Sequence, residues 1–110
     1  MSRHWRAALI GAAALLCLGT AAVGTAAAAE THTVVMDGVK FVPESLTVNR
    51  GDTIVWQNKD PFPHTVTAKG VFDSHDIAAG KSWRYTARKT GEFLYVCTLH
   101  PNMKATLIVK

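Results

Sequence analysis

Cysteine is almost missing from this chain. There are two, Cys17 and Cys97, and the first falls in an N-terminal stretch that reads as a leader. The remainder holds one thiol, which excludes an internal disulfide and leaves a free, intermolecular or metal-bound role. Helical signal is also missing. Past residue 29 there is no amphipathic helix of useful length, no repeat and no low-complexity linker. Basic residues form no dense stripe, which argues against nucleic acid as a partner. No oxyanion-hole loop or substrate cleft accompanies Cys97, which argues against a thiol hydrolase. The chain reads as a non-enzyme.

What is present begins with that leader. Arg3 and Arg6 flank Trp5, an apolar Ala- and Leu-rich run extends from Ala7 to about Val23, and Ala27-Ala28-Ala29 supplies a small-x-small site before Glu30. This is the pattern of a secretory signal peptide over residues 1–29, which implies periplasmic export and no membrane insertion of the mature protein. Cys17 follows Leu15-Leu16, unlike a lipoprotein cysteine. The leader carries two of the 12 Lys and Arg and none of the 8 Asp and Glu, so the net charge of +4 falls to +2 on its removal. One small domain remains, residues 30–110, with a modest core.

That domain reads as all-β. Short runs rich in Val, Ile, Thr and aromatics predict strands over Thr33–Met36, Leu46–Val48, Thr53–Gln57, Thr65–Ala68, Ser82–Thr86, Glu92–Cys97 and Ala105–Val109. Turn signals separate them, among them Asp37-Gly38, Arg50-Gly51-Asp52, Lys69-Gly70 and Thr90-Gly91. Ile54 and Trp56 share one face, and Phe93, Tyr95 and Cys97 share another, so a β-sandwich of about seven strands is expected with the thiol pointing inward. Phe41-Val42-Pro43 reads equally as a strand end or a turn, since Pro removes a donor.

The chemistry-bearing residues cluster near the end. Cys97, His100 and Met103 lie within seven residues, and His64 stands upstream in Asp60-Pro61-Phe62-Pro63-His64. Two His and one Cys in a trigonal arrangement, with a weak Met, form the ligand set of a blue-copper electron-transfer site. Thiolate and thioether are soft and favour Cu(I), whereas imidazole also suits Cu(II). Such a mixed site holds both oxidation states with little rearrangement. A structural zinc site fits less well, since zinc rarely uses Met.

The run Cys97-Thr98-x-His100-Pro101-x-Met103, with two residues between His100 and Met103, together with Asn58 and Pro63-His64 after a strand, resembles the cupredoxins, most of all their amicyanin branch, with plastocyanin and pseudoazurin as relatives. The resemblance covers roughly Thr33 to Lys110. It departs at Leu99, where amicyanin-type loops usually carry Pro, and at Asn102, where they carry an aromatic. It implies a small Greek-key sandwich, one type 1 copper ion held by His64, Cys97, His100 and Met103, and a monomer. It also implies a support role for Asn58, tying the two ligand loops together, with Thr98 and Pro101 beside it.

The function expected is that of a periplasmic electron shuttle. His100 is the exposed gateway, and Pro61, Phe62, Leu99, Pro101 and Asn102 form a small apolar docking patch around it for transient redox partners of the dehydrogenase or cytochrome type. Lys59 and Lys104 are placed to steer an acidic partner. The alternative is a copper carrier or scavenger, although carriers need exchangeable Met- or His-rich surfaces and this chain has few such residues. Copper oxidases of related fold carry extra His clusters that this chain lacks. His75 reads as a surface residue. His32 becomes the third residue if cleavage follows Ala29, and its imidazole, the free amine and two amides then offer Cu(II) a square plane.

Overall fold

The computed structural model describes residues 28–110. All of the expected leader except Ala28 and Ala29 therefore lies outside the described residues. In chain order the strands are β1 (Thr31–Met36), β2 (Phe41–Val42), β3 (Ser45–Val48), β4 (Thr53–Asn58), β5 (Thr67–Ala68), β6 (Phe72–Asp73), β7 (Ser82–Thr86), β8 (Gly91–Cys97) and β9 (His100–Val109). They form a four-stranded sheet in the order β2-β1-β4-β7 and a five-stranded sheet in the order β3-β9-β8-β5-β6. The β1–β4 and β3–β9 pairs are parallel and the other strand pairs are antiparallel.

Among the described residues nine strands stand where about seven were expected. The two additions, β2 and β6, have two residues each, too few to show alternation. The expected strand from Thr65 shortens to Thr67–Ala68 because its first amides are engaged elsewhere. Thr65 donates its N–H to Cys97 Sγ at 3.2 Å, and Val66 donates to Ser74 Oγ at 2.7 Å. β9 is longer than expected and begins at His100.

Period-two alternation builds the core. Val34 and Met36 of β1 and Ile54 and Trp56 of β4 are fully buried, as are Tyr95 and Cys97 of β8 and Leu107 of β9. The Trp56 and Tyr95 rings, one from each sheet, meet edge to face with centroids 5.6 Å apart and planes at 85°. Trp56 Nε1 donates to the Tyr95 hydroxyl at 3.3 Å, so both polar tips are satisfied inside the core. Burial pushes the Tyr95 phenol up to about 12, against the opposing effect of the Trp56 bond. A neutral, hydrogen-bonded tyrosine therefore lies two residues before Cys97 on the same face of β8.

The two ends of the sandwich differ. β4 runs toward Asn58 and the His64 segment, and β8 ends at Cys97. At the opposite end the Asn49-Arg50-Gly51-Asp52 turn closes with an Asp52 N–H to Asn49 carbonyl bond of 3.0 Å. Gly51 takes φ +97° there, a conformation that favours glycine.

Candidate metal centre

A two-residue connection, Thr98-Leu99, joins β8 to β9 and sets Cys97 opposite His100. The next pair is Val96 opposite Lys104, so Pro101, Asn102 and Met103 bulge out of the ladder. Such a bulge re-aims side chains. Met103 is the first buried position of β9, at 2 % exposure. His100 was expected in a loop and lies instead at the start of a strand, half-buried.

His64 reaches the same end from the segment between β4 and β5. Its backbone pairs with Ile77, His64 N–H to Ile77 carbonyl at 3.1 Å and Ile77 N–H to His64 carbonyl at 2.7 Å. The side chain is fully buried. His64 Nδ1 and His100 Nδ1 are 3.2 Å apart, and Cys97 Sγ lies 3.6 Å from each. A triangle with these sides has its centre roughly 2 Å from every corner, the length of a metal–imidazole bond and close to that of a metal–thiolate bond. The thiol is free and buried. The donor set and its convergence fit one mononuclear copper ion, with the buried Met103 thioether in the same bulge.

The residues around these donors hold them in place. Asp60 Oδ2 lies 2.7 Å from His64 Nε2, which fixes that imidazole with Nδ1 toward the other donors. The same carboxylate accepts the amides of Gly38 at 2.8 Å and Val39 at 2.9 Å. Burial by itself raises the Asp60 carboxyl, but the bonds from His64, Val39 and Gly38 outweigh it, and the net shift is below the usual range. Val39 sits at φ +60°, an outlier for a β-branched residue, and the Asp60 bond secures it.

Asn58 donates to the Phe62 carbonyl at 2.8 Å and the Ile77 carbonyl at 3.0 Å, and accepts the Asp60 amide at 3.0 Å. It therefore organises its own loop and ties it to the segment around Ile77. The expected tie from Asn58 to the second ligand loop falls instead to Thr65, whose Oγ1 accepts the Thr98 amide at 2.9 Å and lies 3.1 Å from Thr98 Oγ1. Thr98 takes part in the tie, while Pro101 is exposed beside His100. Sequence reasoning missed Asp60 and Thr65. Asp60 lies four residues before His64 and Thr65 directly follows it, a proximity that offered a signal.

The outer surface of this end is apolar. Pro61, Phe62 and Leu99 are exposed, and the Phe62 ring lies 5.3 Å from His64 and 5.4 Å from His100, centroid to centroid. A shallow recess is lined by Val39, Leu99, His100, Pro101 and Asn102, which adds Val39 to the expected patch. Lys59 and Lys104 are exposed, as is His75.

His32 lies elsewhere, in β1. Thr31 and His32 pair in register with Thr53 and Ile54, and His32 Nε2 is 2.9 Å from Asp52 Oδ2. Wrapping Cu(II) in the amides of this segment requires that pairing to open.

Two facing sheets with a His-Cys-His triangle, buried except at His100, and a thioether at one end define a mononuclear metal protein of β-sandwich fold. The model of the Cupredoxin-like domain matches residues 7–109, and the chain belongs to that family. It is 27% identical over 88 residues to an amicyanin of Paracoccus versutus, covering 74% of this chain and 67% of the relative. A plastocyanin of Synechococcus sp. (strain JA-2-3B'a(2-13)) is 34% identical over 105 residues, covering 76% and 74%. Among solved structures, a variant of amicyanin in the Cu(I) form superposes with a TM-score of 0.68 at 26% identity over 73% of this chain and 82% of that one. A Cu-containing nitrite reductase of Thermus scotoductus SA-01 also superposes with a TM-score of 0.68, at 30% identity over 73% of this chain. This chain spans only 22% of that enzyme's length.

Proposed function

We propose that this protein is an exported, periplasmic electron shuttle that binds one type 1 copper ion through His64, Cys97, His100 and Met103 and performs no substrate chemistry of its own. The observation that carries this reading is the triangle of His64 Nδ1, His100 Nδ1 and Cys97 Sγ, with sides of 3.2, 3.6 and 3.6 Å. Copper supplies the one-electron chemistry, cycling between Cu(II) and Cu(I). The chain's residues keep the donors in place through that cycle. Asp60 fixes the His64 ring, the Thr65 amide donates to the Cys97 sulfur, and Thr65 Oγ1 joins the two ligand segments. The buried donors exclude water. His100 is the only one of the four that is partly exposed, and it sits inside the apolar recess where a redox partner of the dehydrogenase or cytochrome type docks transiently.

Burial of His64, Cys97 and Met103 at 0, 0 and 2 % exposure favours a shuttle over a carrier, because delivery requires ligands that a recipient can reach. Residues 1–29 are the export signal and 30–110 the working domain, a monomer.

The test is a Cu(II) titration of the exported protein, read by visible absorption and electron paramagnetic resonance. An intense thiolate-to-copper band with narrow hyperfine splitting, at one copper per chain and absent in Cys97→Ser, is expected. Copper uptake without that band overturns the site. Rapid loss of copper to a chelator, without reversible redox cycling, replaces the shuttle with a carrier.

A further inference from the structure

Asp52 is buried at the end of the sandwich away from the metal donors, at 3 % exposure. Oδ1 accepts the backbone N–H of Glu30 at 2.9 Å. Oδ2 accepts the Asn49 amide at 3.0 Å and lies 2.9 Å from His32 Nε2. The amide of Glu30, that of Asn49 and the His32 ring hold its carboxyl down at about 2, the Glu30 bond most strongly and against the opposing effect of burial. Among the described residues no Lys or Arg forms an ion pair with it; its ion-pair contact is the titratable His32. A buried carboxylate without a fixed positive partner is costly; here two amides and the His32 ring offset that cost, and a cation on Oδ1 would offset more of it.

The donor on Oδ1 lies at the foot of β1. Glu30 precedes the first strand residue, its carbonyl accepts the Thr53 amide at 2.9 Å, and Ala28 and Ala29 before it are exposed and outside any strand. The Glu30 nitrogen belongs to the bond that the Ala27-x-Ala29 pattern marks for removal of the leader.

We propose that Asp52 is the receptor for the N-terminus of the mature chain: cleavage between Ala29 and Glu30 turns the amide already seated on Oδ1 into an α-ammonium ion paired with this carboxylate. The inference rests on the export reading above. In the step itself a leader peptidase adds water across the Ala29–Glu30 peptide bond. Ala29 leaves as a carboxylate, and the Glu30 nitrogen takes up protons to become the ammonium. The amide bond, already assisted by the charge of the carboxylate, becomes a contact between two opposite charges. Cleavage one residue earlier keeps the neutral amide on Asp52 and sets the amine about 3.8 Å further along. Removal of the leader therefore fastens β1 to the turn that follows β3, and the seated amine is withdrawn from the square-planar Cu(II) site otherwise offered with His32.

The test starts with the full-length chain exported from a bacterium and the intact mass of the mature protein. A chain beginning at Glu30 is expected. Cleavage at another bond overturns this inference and leaves the export reading standing, whereas no cleavage at all overturns both. Chains released from a fusion with Glu30 or with Ala29 as first residue are then compared by urea unfolding at pH 6. The Glu30 chain is expected to have a folding equilibrium constant about tenfold larger, and the advantage should vanish in Asp52→Asn. Equal stabilities overturn the proposal. The blue absorption of the same samples reports the copper site separately, and the Glu30 and Ala29 chains should not differ in it.

Discussion

Asp60 and His64 are joined side chain to side chain, carboxylate Oδ2 to imidazole Nε2 at 2.7 Å, across four residues of chain. The bond sets the ring's orientation, and the negative charge increases its donation to a cation on Nδ1. Cu(II) benefits from that donation more than Cu(I). Asp60→Asn should therefore weaken Cu(II) binding by about 10- to 100-fold and raise the reduction potential. Competition titration and protein-film voltammetry measure the two effects. Unchanged affinity and potential would show that Asp60 only supports the Gly38-Val39 turn.

Asn58 satisfies two carbonyls and one amide in a buried setting, with 2 % exposure. Asn58→Ala leaves the Phe62 carbonyl and the Asp60 amide without this partner, while the Ile77 carbonyl keeps the His64 N–H. The expected cost is about 3 kcal/mol, a fall in melting temperature on the order of 10–20 °C for a domain of this size. Thermal unfolding of the metal-free protein gives the value, so the copper contribution does not enter.

Met103 is buried in the β9 bulge. Met103→Leu nearly conserves volume, so its effect on the stability of the metal-free fold should be below about 1.5 kcal/mol. A thioether ligand is lost, however. One copper per chain should still bind, with a shifted visible spectrum and an altered potential. A variant with the native spectrum and potential would return Met103 to ordinary core packing.

Acid should act through Asp52. Its carboxyl is lowered from 3.8 to about 2 in the folded state, so the folded protein holds the ionised form more tightly than the unfolded chain does. The stabilisation is full above pH 3.8 and disappears as pH falls toward 2. His32 Nε2 and the Glu30 N–H face the same carboxylate, the Glu30 carboxylate lies 4.0 Å from the His32 ring, and Asp60 and Asp73 are lowered too, so other acid sensitivity will remain. Urea unfolding of Asp52→Asn between pH 5 and 2 should show a stability deficit that is constant above pH 4 and shrinks below it. A deficit independent of pH would remove the carboxylate charge from the account.

The ligand set was legible because three of its members share one short run and differ in type from everything around them. Seven strands were legible because Val, Thr and aromatic residues alternate over three to six positions. β2 and β6 were not, since two residues carry no period. The bulge at Pro101–Met103 was read as open loop, because register across a hairpin depends on partner strands. Asp60 and Thr65 were passed over for a related reason. Their partners Gly38, Val39 and Thr98 lie 21 to 33 residues away, and only the folded chain brings them together.

β1 begins and β9 finishes at the same end of the sandwich: the Glu30 carbonyl accepts from Thr53, and the Lys110 carbonyl accepts from Arg50 at 2.8 Å. His100 opens β9, ten residues long, so the metal donors stand roughly 30 Å from that end. Glu30 and Lys110 are therefore both at the rear. Grafted to an electrode or fused behind a catalytic module through either one, the domain would present its redox face outward in one orientation, as a plug presents its pins.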